Sequence, residues 1–188
     1  MVEEEGNLVV PRAREVITNL RVLKRTNKKP EAGDIFAMQI PDGRYLFGRV
    51  IEADLPRDRA PMPLSNLVYI YDALSVSEKP ALERLNPSNL LIPPYFTNRK
   101  LWTLGYAKVV DHADVLSEDR LEHHSFKDLI ADHRYRIVDE FGVETQHVSD
   151  LCGTWGLVSY RYLDDRISEA LGIPPASPSP GDKDDSPE

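Results

Sequence analysis

Apolar and polar residues alternate with period two over residues 35–40 and again over 45–50, on either side of Pro41-Asp42-Gly43. Alternation across an Asp-Gly pair predicts a β-hairpin. Phe36, Met38 and Ile40 fall on one side and Ile35, Ala37 and Gln39 on the other, so the first set is the better candidate for burial. Gly43 is the turn residue that tolerates a positive φ. Upstream, Ala13, Val16, Ile17, Leu20 and Leu23 recur at helical spacing behind Pro11, which predicts a helix with a strand as the alternative. A basic run, Arg21, Lys24, Arg25, Lys28 and Lys29, follows before Pro30 ends that element. Downstream, 54–66 carries Pro56, Pro61 and Pro63 and predicts a loop.

The run LVYIYDA at 67–73 predicts a third strand, and Ser77 is placed to cap a short helix over 78–85 with Leu82 and Leu85 inward. Trp102, Leu104 and Tyr106 share one face of an expected strand reaching Val110, with Gly105 marking a bulge or the close approach of another segment. Residues 111–128 read as an acidic, solvated loop. Stretches 135–139 and 143–146 flank Gly142 as a second hairpin, 157–162 reads as a strand, and Asp164 or Asp165 is expected to cap a helix through Leu171, stopped by Gly172 and Pro174. Many strands in hairpins with few short helices predict an α+β domain dominated by an antiparallel, curved or barrel-like sheet. The organisation expected is a partly helical extension over 1–29, one domain over 30–175, and a disordered acidic tail over 176–188.

With 188 residues the chain is long enough for one core and short for two. A composition of 41% hydrophobic and 29% charged residues suits a globular protein in water, and no apolar run approaches the roughly 20 residues of a membrane span. The acidic start, MVEEEGNLVV, lacks the basic and apolar regions of a secretory signal, so a cytoplasmic location is expected. Net charge is −8, of which the tail carries four acids and one base. That balance opposes nucleic-acid or anionic-membrane binding and favours a basic partner. Cys152 is the single cysteine, which excludes an internal disulfide and reads as a small hydrophobe.

Five histidines, His112, His123, His124, His133 and His147, lie near Asp111, Asp114 and Asp132. A hydrolytic metal site needs two or three of them on one face. Adjacent His123 and His124 point to opposite sides of any regular element, and no HExxH pair is present, so no metal ligands, cofactor or catalytic set are assigned.

Four stretches carry a resemblance to a known family: GDIFAMQIPDGRYLFGRV at 33–50, PPYFTNRKLWTLGYAKVV at 93–110, YRIVDEFG at 135–142, and GTWGLVSYRYLDDRISEALGIP at 153–174. In this order they resemble the bacterial immunity protein 26 family, a name also attached to a phosphotriesterase branch. The resemblance implies an antitoxin of a polymorphic toxin system that neutralises a cognate toxin domain by binding it. The alternative it implies is a phosphotriester (organophosphate) hydrolase. For a binding protein the candidate partner contacts are Asp42 and Asp54 in and after the first hairpin, Asn98, Arg99 and Trp102, and the acidic set Asp111, Asp114 and Glu118.

Overall fold

The computed structural model describes residues 17–130, 132 and 134–176. Strands β1 (Asp34–Gln39) and β2 (Tyr45–Leu55) form the expected hairpin, paired from Ile35↔Arg49 to Gln39↔Tyr45. The Gly43 amide donates to the Ile40 carbonyl at 3.0 Å, and Gly43 has φ +90°. A Cβ there would meet nothing within 4 Å, so a substitution is opposed by backbone strain alone. Gly43→Val is expected to lower stability by about 1–2 kcal/mol, read as a shift in the denaturation midpoint. An unshifted midpoint would contradict the turn.

Strands β3 (Ser65–Ser75), β4 (Tyr95–Thr97), β5 (Lys108–His112) and β9 (Leu157–Val158) complete a six-stranded sheet in the order β5-β1-β2-β3-β4-β9. A smaller sheet, β7-β6-β8, contains β6 (Phe126–Leu129), β7 (Tyr135–Val138) and β8 (Gly153–Thr154). Pairing is antiparallel except for β4 with β9 and β6 with β8. The fold is α+β, and its two sheets stay open rather than closing into a barrel.

The large sheet is buried on both faces. On one, Phe36, Met38, Ile40, Leu46, Val50, Val68 and Ile70 pack under helices α1 (Lys100–Thr103) and α2 (Tyr160–Ala170) and under Leu20. On the other, Ile35, Ala37, Phe47, Ile51, Tyr69 and Tyr71 pack against Phe126 and Val138 of the small sheet. The side expected to be less buried is therefore also core, because β6 and β7 cover it.

Helix α2 begins at Ser159, whose hydroxyl accepts the Tyr162 amide at 3.1 Å; both expected caps, Asp164 and Asp165, lie inside the helix. The fully buried Asp164 carboxylate instead accepts the amides of Asn19 at 3.0 Å and Leu20 at 2.6 Å, and burial pushes its pKa up. Residues 17–30 run as an irregular strap bridged to β1 at Arg21↔Gln39, not as a helix, and the start of the expected helix lies outside the described residues. Pinning by Asp164 and by Gln39 O fixes the strap in an extended path that helical hydrogen bonding cannot follow.

Three further expectations are corrected. The helix over 78–85 reduces to a 3-10 turn, Leu82–Arg84, in which Leu82 is exposed while Leu85 is buried. The strand through Trp102 is α1, opened by the Asn98 side chain accepting the Lys100 amide at 2.9 Å. The strand at 157–162 is only Leu157–Val158. Gly105, with φ +90°, does mark a close approach, since a Cβ there would lie 3.0 Å from the Arg25 amide nitrogen. In the second hairpin β7 pairs mainly with β6, while a Val138↔Glu144 bridge and Gly142 at φ +77° form the return.

Candidate functional site

β5 is an edge strand, and the chain leaving it runs to the small sheet as a loop held from beneath. Arg49 of β2, 5% exposed, places Nη1 2.8 Å from Asp119 Oδ1 and donates from Nη2 to the carbonyls of Ala113 at 3.0 Å and Asp114 at 2.8 Å. Arg120 pairs with Glu52 at 2.8 Å, and the Leu121 amide donates to the Tyr69 hydroxyl at 3.1 Å. At the start of the loop, His112 Nδ1 lies 2.9 Å from the buried Asp34 carboxylate. Gly33 passes so close that a Cβ would meet the Ala113 carbonyl oxygen at 2.4 Å. This segment is therefore anchored, in contrast to the solvated loop expected.

What the anchors leave outside is acidic. Asp111, Asp114, Glu118 and Glu122 are exposed, the Asp114 and Glu122 side chains at 96% and 92%. Carboxylates held out on a fixed backbone lose little conformational entropy on meeting a cationic surface.

The other sequence candidates lie elsewhere. Asp42 sits in the first hairpin turn, at the opposite end of β1 from Asp111, and the adjacent Arg44 holds its carboxyl below the usual range. Asp54, at φ +47°, pairs with Lys29 at 2.8 Å. Asn98 and Arg99 follow β4, three strands away from β1. Trp102 is 1% exposed and packs edge-on to Phe36 at 5.4 Å, within the core cluster under the large sheet. Arg49, Asp119, Arg120 and Tyr69, which shape the acidic loop, carry no local signal, because their partners are distant in sequence.

Beside this loop lies a cleft of about 210 Å³ lined by Glu122, His123, His124, Glu140 and His147 among others. His124, expected in solvent, is buried, with Nε2 2.6 Å from the Tyr69 hydroxyl and Nδ1 3.3 Å from Glu140 Oε2. That hydroxyl also accepts the Leu121 amide, so Tyr69 links His124 to the acidic loop. Burial pushes the Tyr69 phenol up to about 12, so it stays a protonated donor. Burial also pushes Glu140 up, but His124 and a backbone amide outweigh it and hold the carboxyl below its usual range. His123 is exposed, yet it lines the same cleft, its ring 4.6 Å from that of His147. His133 lies outside the described residues. Among the described residues no three of His, Cys, Asp and Glu are placed to hold a metal ion.

The sequence model of Immunity protein 26 matches residues 31–144. The chain belongs to the immunity protein 26 family. No curated protein and no solved structure matches it. The span matched to immunity protein 26 takes in β1 through β7, with Arg49, Asp119 and the acidic loop, while β8, β9 and α2 follow it. As an immunity protein it is expected to meet a toxin, and no helix among the described residues is long and apolar enough to cross a membrane.

Proposed function

We propose that this immunity protein neutralises a cognate bacterial toxin domain in the cytoplasm by binding a basic surface of that domain to the loop that follows β5. The observation that carries the reading is the Arg49 clamp: it holds the Ala113 and Asp114 carbonyls and the Asp119 carboxylate, and Asp111, Asp114 and Glu118 stay facing solvent. Exposed carboxylates of one sign steer an oppositely charged partner and fix its register. Inhibition then needs only occlusion of the toxin, with no catalytic group on this chain.

Reversing Asp111, Asp114 and Glu118 to lysine is expected to slow association with the toxin at least about tenfold at low salt and to flatten its salt dependence. Reversals among the acids beyond residue 180 are expected to change the rate little. Stopped-flow association from low to high salt checks this. A rate indifferent to salt and to the triple reversal would move the interface off this loop.

A further inference from the structure

A second recognition feature has the opposite charge. Between the strap and the α1–β5 turn lies a cavity of about 120 Å³, with Lys24, Lys28, Lys29 and Lys108 around it and Trp102 and Val109 in its apolar wall. Four lysines lining one cavity are unexpected in a chain of net charge −8. Their backbone is fixed: the amides of Leu23 and Lys24 donate to the Gly105 carbonyl at 2.8 and 3.3 Å, and Thr26 donates to the Trp102 carbonyl at 3.3 Å. Gly105 permits that contact, because a Cβ would press on Val22 and Arg25.

Two independent features mark the cavity as a binding site. The first is charge in excess of its local compensation. Lys28, Lys29 and Lys108 pair with Glu31, Asp54 and Glu78 at 3.4, 2.8 and 2.5 Å, whereas Lys24 has no ion-pair partner among the described residues. Those pairs are substantially solvent-exposed and so are held weakly, which leaves the ammonium groups free to turn toward a ligand. The second is Trp102, which is 1% exposed and whose Nε1–H has no acceptor among the described residues. Buried donors almost always have a partner, and an anionic oxygen is the strongest acceptor a ligand could bring.

We propose that this cavity binds a small organic anion, a carboxylate or phosphate monoester on a short apolar stem. The charged end lies among the lysines and the stem lies on the Trp102 indole and Val109. A bare inorganic ion would satisfy the lysines and leave the apolar wall uncovered, and a neutral aromatic would do the reverse. The volume equals that of about four water molecules, which limits the ligand to roughly a single ring or a short chain.

The test follows the Trp102 indole N–H resonance in the ¹⁵N-labelled full chain during titration with benzoate, phenyl phosphate, inorganic phosphate and benzyl alcohol. Trp155 serves as the internal control. A saturable Trp102 shift is expected with benzoate or phenyl phosphate, the stronger of the two identifying the headgroup, and at least about tenfold weaker binding is expected for inorganic phosphate and benzyl alcohol. Lys24→Glu and the milder Lys24→Gln are expected to weaken the organic anion at least about tenfold and about threefold respectively, with the Trp155 resonance unmoved as evidence of an intact fold. The proposal is overturned if neither aromatic anion gives a saturable shift, if benzyl alcohol or inorganic phosphate binds as tightly, or if both Lys24 variants bind like the original.

Discussion

Gly48→Val is expected to destabilise the protein by about 3 kcal/mol or more, a large share of the roughly 5–15 kcal/mol that holds a domain of this kind together. Gly48 lies in mid-β2, opposite Phe36 on one side and Ile70 on the other. A Cβ at this position would sit 2.4 Å from Phe36 Cζ and 2.7 Å from the Tyr69 carbonyl oxygen. Neither can yield. The Phe36 ring is itself wedged edge-on against Trp102, and the carbonyl belongs to the sheet backbone. Gly48→Ala is expected to fall part-way, since one methyl meets the same atoms with less bulk behind it. Urea denaturation midpoints of the two variants check the order, and equal midpoints for all three proteins would mean that β2 does not pack as described.

The second large effect is expected for Arg49→Met, which keeps an apolar stem in place of the buried cation. Removing one partner of a buried ion pair costs about 3–5 kcal/mol, reduced here to about 2–4 because the Asp119 side chain is 19% exposed and can be partly hydrated. Two carbonyls, of Ala113 and Asp114, lose their donor in the same change. Hydrogen exchange should therefore accelerate across the loop while the amides of α2 stay protected, and association with the toxin should slow even though every surface carboxylate remains. Uniform acceleration over the whole chain would show that Arg49 supports the fold at large rather than this loop.

Local chemistry made the first hairpin legible. A proline, an aspartate and a glycine in the right order fix a turn whatever the rest of the chain does, and the alternation on both sides then fixes the register. Burial of Ile35 and Ala37 was not legible, because it depends on β6 and β7, which return from about ninety residues downstream. Trp102 was misplaced for a different reason. Spacing by two through Trp102, Leu104 and Tyr106 mimics a strand, but Asn98 as an opening side-chain acceptor and Gly105 at positive φ were a start and stop signal for one helical turn. Likewise, Ser159 followed by Leu163, Ile167 and Leu171 carried the α2 period, obscured by extending the strand through Tyr162. The acidic character of the loop could be read directly from the sequence. Its rigidity could not, since Arg49 reaches it from another strand and Tyr69 is 52 residues away from Leu121.

The short stretch that supplies β8 and β9 has a consequence for how the chain acquires its structure. Within six residues it adds a parallel strand to each sheet, and Trp155 between them meets Phe96 and Phe126 at 5.2 and 5.9 Å. Thr97 waits for Val158, 61 residues later, so this closure comes late in the growth of the chain. During synthesis β4 and β6 remain edges until the segment has cleared the ribosome. A chain whose elongation stalls before residue 153 would hold two raw sheet edges open at once, and a neighbouring nascent chain could pair with either.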